Sequence, residues 1–147
     1  MSEGELGQSF RTLVKDTRGP GLTDVTAEVR AWLNEITGCD GLLTLFIRHT
    51  SASLLIQENA DPNVHTDLLG ALDRLAPRDQ AYAHDTEGAD DMPAHVKAAV
   101  TATSLSIPLR DGRMALGTWQ GIYLVEHRDR PHRREIVMHY LGTHRAI

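Results

Sequence analysis

The 147-residue sequence predicts a single α+β domain with a largely antiparallel sheet. Three observations predict this class. The length is that of one domain, which can bury roughly two-thirds of the surface that its unfolded chain exposes. Apolar residues alternate along several segments, as in strands, and recur every three or four residues along others, as in amphipathic helices. No internal repeat or low-complexity segment is visible.

The N-terminal third is predicted to contain a strand, a helix and two further strands. Residues 1–7 are polar and are predicted to be flexible, and alternation predicts a strand over 8–15 that the Gly19–Gly21 segment ends. Apolar spacings of three and four over Thr23–Ile36 predict a helix terminated by Gly38. The two strands that follow are predicted over Gly41–His49 and Ser53–Glu58.

Two more helices are predicted in the middle of the chain. Asp61 is a good N-cap with Pro62 in the first turn behind it, and Pro77 ends this helix. Pro93 is predicted to open a short third helix. The residues expected to face the core are Val64, Leu68, Leu72 and Leu75 in the second helix and Val96 and Val100 in the third.

The C-terminal part is predicted to be all strand. Leu105, Ile107 and Leu109 alternate, and Asp111-Gly112 predicts a tight hairpin turn into a strand that begins at Met114–Leu116. Two more strands are predicted near Trp119–Glu126 and Arg134–Leu141.

Composition excludes several classes of protein. The formal net charge of -5 argues against nucleic acid as a partner, because phosphate backbones favour a basic face. Cys39 is the only cysteine, which excludes an intramolecular disulfide and four-thiolate zinc sites. Apolar runs are too short for a membrane helix, and the N-terminus lacks the features of a signal peptide. We therefore expect a cytoplasmic protein without a membrane partner.

The segment over Ala83–Lys97 combines two histidines, His84 and His95, with four carboxylates. Neutral imidazoles are good zinc ligands, and carboxylates orient them or accept protons. Asp90 and Asp91 have a sufficient alternative role at the start of a helix. A charged His95 would gain nothing from the positive end of that helix, which favours a neutral, metal-binding imidazole.

Two junctions near the middle of the chain are further candidate sites. His49 could ligate a metal where a strand breaks, and the neighbouring Ser51 hydroxyl could hold phosphate; alternatively these hydroxyls satisfy backbone groups in the turn. Glu58 precedes a helix cap and could serve as a general base or ligand. For Asp61, helix capping is the favoured interpretation.

The Gly117–Arg128 segment combines glycines within a strand, two aromatic residues and polar groups. Trp119 and Tyr123 would share a strand face and form an aromatic wall for a flat heterocycle, or else belong to the core or a subunit interface. His127 adds an imidazole, and Arg128 with its neighbouring arginines could hold phosphate or simply remain solvated.

Four blocks, in this order, carry a family resemblance: HTSASL (49–54), NADPNV (59–64), HDTEGADDMPAHVK (84–97) and GTWQGIYLVEHR (117–128). They resemble the YjbQ family of small bacterial and archaeal proteins, and the match covers residues 8–143 as one domain. The resemblance implies sandwich-like sheets, assembly as a homotrimer, a histidine cluster that holds a metal, and a secondary thiamine-phosphate synthase activity.

The resemblance also assigns residues by position. It implies His49, His84 and His95 as metal ligands. The pocket residues it implies are Ser51, Glu58, Asp61, Asp85, Glu87, Gln120, Glu126, His127 and Arg128. Cys39 lies outside every block, which disfavours cysteine catalysis.

Three functions follow as hypotheses, each with a small phosphorylated metabolite or a metal as partner. In the first, a divalent ion on the three histidines, Arg128 and the helix start at Pro93 neutralise the leaving diphosphate of thiamine-phosphate synthesis, with Trp119 stacked on the heterocycle. Histidine ligands favour zinc, whereas a diphosphate substrate would suit magnesium. The second is a metal-dependent hydrolase with Glu58 or Glu87 as base. The third is a noncatalytic trimer that binds a metabolite or metal.

Overall fold

The computed structural model describes residues 4–146, which fold into three helices and eight strands. None of these helices is long and apolar enough to span a membrane. The helices are α1 (Thr26–Glu35), α2 (Pro62–Leu75) and α3 (Asp91–Val100). The strands are β1 (Gly7–Thr17), β2 (Gly21–Asp24), β3 (Gly38–Ile47), β4 (Ala52–Glu58), β5 (Ser104–Arg110), β6 (Arg113–Met114), β7 (Gln120–Glu126) and β8 (His132–His144).

The strands form two antiparallel sheets that enclose the core. The larger sheet has the order β1-β8-β3-β5-β6 and the smaller one the order β2-β7-β4. Both sheets and α1 contribute buried apolar side chains, among them Leu45, Ile136, Leu54, Leu124 and Trp32. The predicted α+β class, with antiparallel sandwich-like sheets and three helices, is confirmed.

A row of glycines crosses three neighbouring strands of the larger sheet. Gly142 of β8 lies opposite Gly7 of β1 on one side and Gly41 of β3 on the other. A Cβ atom on Gly142 would clash with the carbonyl of Asp40 and with the hydroxyl of Tyr140. The fully buried Tyr140 therefore folds over a groove that only glycine leaves open.

The beginning of the chain differs from the prediction around α1. Of the N-terminal segment predicted to be flexible, residues 1–3 lie outside the described residues, and Gly7 already belongs to β1. Gly21–Asp24 pairs with β7 as a strand, so the helix begins at Thr26 rather than at Thr23. The Asp24 carboxylate accepts a hydrogen bond from the Thr26 N–H at 2.8 Å and marks this start.

The chain reversal after α1 also lies one residue from its predicted place. Thr37 adopts a positive φ of 57°, while Gly38 already belongs to β3. Thr37, and not Gly38, reverses the chain.

The structure confirms how α2 starts but not what it buries. The Asp61 carboxylate accepts a hydrogen bond from the Asn63 N–H at 2.9 Å, as an N-cap does, and Pro62 begins the helix. Leu72 is buried, whereas Leu75, at the last position of the helix, is 65% exposed. The expectation that Leu75 faces the core was wrong.

The third helix begins two residues earlier than predicted and presents a different face. It starts at Asp91, and Val100 is exposed. The buried face consists of Asp91, Pro93, Ala94 and Lys97, which pack towards β4 and α2. The Lys97 ammonium donates a 2.6 Å hydrogen bond to Asp73 and so ties α3 to α2. The buried face thus includes two charged residues with partners, Asp91 and Lys97, and excludes the predicted Val100.

The predicted hairpin turn is confirmed at Asp111-Gly112. Both residues have positive φ, 50° and 77°, which is the geometry of a two-residue type I′ turn. The returning strand is shorter than expected, because β6 comprises only Arg113 and Met114. The following loop runs to Gln120 and therefore includes Trp119, which was predicted to lie in the next strand.

Candidate metal centre

Three donor atoms meet where the 76–90 loop joins α3. One oxygen of Asp91, Oδ2, lies 2.8 Å from His84 Nε2 and 3.4 Å from His95 Nε2. The three ligand atoms all lie within 4.8 Å of one another. The Asp91 side chain is only 3% exposed, whereas the two imidazoles are partly open to solvent. The cluster is thus anchored in the protein and accessible from outside.

Arg128 fixes the buried side of this cluster. Its guanidinium donates to Asp90 Oδ2 at 2.9 Å, to Asp91 Oδ1 at 2.8 Å and to the Glu87 carbonyl at 3.0 Å. Burial alone would raise the pKa of Asp90, but hydrogen bonds from Arg128 and from the Asp129 N–H outweigh it and lower the pKa. Arg128 therefore favours the ionised form of Asp90 and leaves Asp91 Oδ2 directed at the imidazoles.

The donor set fits a divalent transition metal. Two imidazole nitrogens and one carboxylate oxygen are the ligands of many catalytic zinc sites, which keep a fourth position for water or substrate. Ligand atoms around a tetrahedral zinc ion are about 3.3 Å apart, close to the separations between Asp91 Oδ2 and the two histidines. A carboxylate whose other oxygen is held by an arginine also meets the need for oriented ligands.

His95 connects the cluster to an open cavity of ≈ 700 Å³, which we call the histidine cavity. Its wall combines apolar side chains with hydroxyl and basic groups: Phe46, Arg48, His49, Ser51, Thr103 and Arg134. Polar groups of this kind, on an otherwise apolar wall, suit a small ligand with phosphate or hydroxyl oxygens.

His49 lies in this cavity but not in the metal cluster. Its Nε2 accepts a hydrogen bond from the Glu135 N–H at 2.9 Å. Burial and the nearby Arg134 charge lower the pKa of His49, so its ring is neutral. The structure brings His84 and His95 together and places His49 elsewhere on the cavity wall; its assignment as a third ligand stays a prediction.

A second polar cluster lies wholly inside the protein. Glu126 is 1% exposed, and Arg134 donates to both of its oxygens while Thr17 donates to Oε1 at 2.5 Å. The backbone N–H groups of His127 and Arg128 donate to Oε2. Burial would raise the pKa of Glu126, yet these hydrogen bonds lower it. Both oxygens of this carboxylate thus face internal donors.

His127 extends the internal cluster. Its Nε2 lies 2.9 Å from Ser53 Oγ, and that oxygen also accepts from Thr101 Oγ1 at 2.6 Å. Burial, together with the Lys97 charge, lowers the pKa of His127 to about 4. The ring is neutral and enclosed, so the arrangement offers no support for Glu126 or His127 as groups that touch a substrate.

The remaining predicted site residues are spread over the surface. Asp85 and Glu87 are exposed beside His84, with Glu87 Oε2 3.9 Å from His84 Nε2. Glu58 lies at the far end of β4, where its carboxylate accepts from the Asp61 N–H at 2.6 Å. The cluster does not include Glu58.

The aromatic wall predicted from Trp119 and Tyr123 is not formed. Trp119 is 64% exposed and lies just before β7. Because it is outside the strand, the alternation of side chains along β7 does not place it on the same face as Tyr123. Tyr123 is buried and makes an edge contact with His65 at 4.6 Å. Gln120 next to Trp119 accepts from the Gly117 N–H at 2.7 Å and faces a different cavity.

Asp91 was not among the predicted metal ligands: its predicted role was to orient the imidazoles or, alternatively, to lie at the start of a helix. Its spacing from His95 is four residues, which places both side chains on one helix face. That spacing, combined with a histidine just upstream, is the signal that could have indicated a ligand. No local pattern indicates the role of Arg128, because its partners lie nearly forty residues away.

Fold and cluster together define a small two-sheet α+β protein with a surface histidine–carboxylate centre. The family model described as UPF0047 protein YjbQ-like matches residues 11–143. The UPF0047 protein sll1880 of Synechocystis sp. is 51% identical over 142 residues, 96% of this chain and 97% of the relative. The UPF0047 protein YjbQ of Salmonella typhimurium is 44% identical over 86% of this chain and 93% of its own length.

Solved structures agree with this result. The conserved hypothetical protein TT1486 of Thermus thermophilus is 38% identical with a TM-score of 0.76, over 86% of this chain and 97% of that one. A YbjQ-like protein of unknown function from Sulfolobus solfataricus has a TM-score of 0.87 over 94% of this chain and 99% of that one. Its 23% identity shows likeness of fold alone. The chain belongs to the YjbQ (UPF0047) family.

Proposed function

We propose that this YjbQ-family chain binds a divalent metal ion through His84, Asp91 and His95 and acts on a small phosphorylated metabolite in the histidine cavity. One observation carries the proposal. A single buried carboxylate oxygen lies within 3.4 Å of two partly exposed imidazole nitrogens, while Arg128 holds the other oxygen. Zinc is the favoured ion because two of the three donors are imidazoles, and magnesium is the alternative for a diphosphate substrate.

The chain's own residues have distinct tasks in this proposal. Arg128 positions Asp91, since each of its three guanidinium nitrogens donates to a protein acceptor and only two of its five N–H groups remain. Ser51 Oγ accepts from Arg134 at 3.1 Å, which leaves its hydroxyl hydrogen for a phosphate oxygen in the cavity. A bound divalent ion would supply positive charge against that of a phosphate or diphosphate group.

The candidate reaction is the synthesis of thiamine phosphate. It joins a pyrimidine methyl diphosphate to a thiazole phosphate and releases pyrophosphate. Support comes from the family resemblance and from the juxtaposition of a cation site with hydroxyl and basic groups. Family members are described as having this activity as a secondary one, so the physiological substrate in this proposal is a phosphorylated metabolite of the same size. A cytoplasmic location accords with the lone, half-buried Cys39.

A metal-dependent hydrolase is the second candidate. Glu87 is exposed and its carboxylate lies 3.9 Å from His84, which is where a general base next to the cluster would be needed. Glu58 is too remote for this task. It lies at the end of β4, whereas Ser51 of the histidine cavity directly precedes the first residue of that strand.

We also propose that copies of this chain associate, with the homotrimer as the expected assembly. Five large apolar side chains of the larger sheet are 43–66% exposed: Phe10, Val14, Leu42, Phe46 and Leu141. Exposed apolar residues so grouped are typical of protein interfaces. Phe46 also lines the histidine cavity, so an association through this face would adjoin the site. Light scattering on Leu42→Ser/Phe46→Ser should give a smaller mass than on the parent protein.

Metal content tests the main proposal. Elemental analysis of purified protein should give about one zinc or other divalent ion per chain, and His84→Ala/His95→Ala should lose it. His132→Ala is the matched control, because His132 lies outside both the cluster and the cavity. Equal metal content in the double variant and the control would overturn the assignment, provided that circular dichroism shows both to be folded.

Activity separates the candidate reactions. Pyrophosphate release from the two thiamine-phosphate precursors should be above background and should disappear in the double variant. Phosphate release from single phosphorylated metabolites, lost in Glu87→Gln, would favour the hydrolase instead. If the protein binds about one metal ion per chain but catalyses neither reaction, the result would favour the third hypothesis, a noncatalytic binding protein.

A further inference from the structure

The larger of the two cavities described here lies away from the candidate metal centre. It has a volume of ≈ 1280 Å³ and is bordered by α1, the β5–β6 hairpin and the loop before β7. Arg30, Arg110, Arg113 and Arg145 all line it, and we call it the arginine cavity. Asp24 and Asp111 are its acidic residues, so the wall carries an excess of positive charge although the chain is acidic as a whole.

These arginines differ from most basic residues of the protein. Within residues 4–146, eight of the fifteen arginines and lysines form ion pairs with carboxylates. Four of the remaining seven surround this one cavity. Of the two acids in the wall, Asp24 accepts from the Thr26 N–H, and the Asp111 carboxylate lies within 4.8 Å of donor atoms of Cys39 and Asp40.

The fold forces three of the guanidinium groups to one place. Arg110 and Arg113 are directly opposite each other on the two strands of the tight hairpin. Like charges in such a cross-strand pair destabilise a hairpin unless an anion lies between them. Arg145 packs on the turn itself, where it donates to the Asp111 carbonyl and lies against Gly112. The positive φ of Gly112 and the lack of a Cβ leave room for this guanidinium.

The rest of the cavity wall carries apolar side chains and amide groups. Leu33 of α1, Met114 of β6 and Leu116 of the following segment line the same cavity as the arginines. Asn59 and Gln120 add side-chain amides at its edge. Several bidentate donors beside an apolar surface suit an organic phosphate, whose anionic group would lie on the arginines and whose ring would cover the apolar side chains.

We propose that the arginine cavity binds a phosphate-bearing organic metabolite, such as a nucleotide, at a site separate from the histidine cavity. The two cavities lie at opposite ends of β3 and β5. Phe46, at the histidine cavity, pairs with Ser104, whereas Gly41 pairs with Leu109 next to Arg110. Five residues of strand separate these pairs by about 17 Å. The inference therefore does not depend on the proposed metal site.

Calorimetric titration with ADP and with pyrophosphate tests this site. ADP should bind the parent protein, and pyrophosphate should bind about tenfold more weakly because it lacks the part that covers the apolar wall. Arg110→Ala/Arg113→Ala should weaken ADP binding at least tenfold, since two charge-assisted contacts are lost. Arg11→Ala/Arg133→Ala is the matched control: it removes two positive charges from exposed arginines outside the cavity and should leave binding within twofold.

Other outcomes would overturn the assignment. Equal weakening in both double variants would mean a response to net charge only, and unaltered binding in Arg110→Ala/Arg113→Ala would place ADP elsewhere. Equal affinity for ADP and pyrophosphate would exclude an organic ligand. ADP binding that disappears in His84→Ala/His95→Ala would move the nucleotide to the metal centre. If the hairpin variant does not fold, Arg30→Ala on α1 provides the same comparison from the other wall.

Discussion

Two buried carboxylates, Asp91 and Glu126, are each held by an arginine, yet their surroundings differ in one respect. Arg134, Thr17 and two backbone N–H groups occupy both oxygens of Glu126. Arg128 occupies only one oxygen of Asp91, and the other faces two imidazoles that are open to solvent. An acid whose acceptors all have internal partners stabilises the fold. An acid with one oriented oxygen that faces exposed imidazoles, one of them at hydrogen-bonding distance, is available for a ligand.

The largest expected effect is the loss of stability when the Glu126 cluster is broken. Arg134→Met leaves the Glu126 carboxylate buried without its cation and should lower the free energy of unfolding by about 3–5 kcal/mol. Urea unfolding measures this. Glu126→Gln/Arg134→Met removes both charges and should recover at least half of the loss, whereas His84→Ala should cost less than about 1 kcal/mol. A loss for Arg134→Met as small as that for His84→Ala would contradict the comparison.

The second effect is a dependence of stability on pH that comes from the internal cluster. His127 has a folded-state pKa of about 4 against an ordinary 6.5, so between these values the unfolded chain takes up a proton that the folded chain does not. Stability should therefore fall as the pH is lowered from 6.5 to 4, by up to about 3 kcal/mol from this group.

The variant His127→Gln isolates that contribution. Its free energy of unfolding should depend less steeply on pH over the same interval, and the remaining slope should reflect groups such as His49, whose pKa is also lowered. Urea unfolding at half-unit pH steps gives both curves. Parallel curves for the two proteins would show that His127 titrates normally.

The third effect is a modest loss of stability that accompanies a larger change in affinity at the proposed metal site. Arg128→Lys keeps the charge but cannot contact Asp90, Asp91 and the Glu87 carbonyl at once, so we expect a loss of about 1–2 kcal/mol. Zinc affinity should fall about 10–100-fold, because Asp91 loses the group that orients it. Competition with a chromophoric chelator measures the affinity. Arg133→Lys, at an exposed pair, should alter neither quantity.

The parts of the fold that the sequence predicts well are those governed by local rules. Asp61 with Pro62 determines the start of α2, and Asp111-Gly112 determines the hairpin turn, because capping and positive φ are properties of a few consecutive residues. The face of α3 and the loop position of Trp119 depend on packing partners distant in the chain. Periodicity alone could not predict them.

The candidate site shows the same division. His84 and His95 are close enough in sequence for their density with carboxylates to indicate a cluster, and the structure brings them together. The sequence indicates Arg128 as a phosphate-binding group, but in the structure its guanidinium is paired with Asp90 and Asp91. Whether the protein provides partners for a charged side chain depends on residues that are distant in sequence, and spacing rules do not predict those contacts.

The glycine row across β1, β8 and β3 limits how the length of this chain can vary. Deleting one residue between Gly41 and Ile47 would bring a side chain opposite Gly142, where Tyr140 leaves no room, and would turn the apolar face of β3 outwards. Insertions and deletions are therefore tolerable only outside these strands, for instance in the exposed 79–81 segment. The register of the three strands therefore fixes where both cavities lie along the larger sheet.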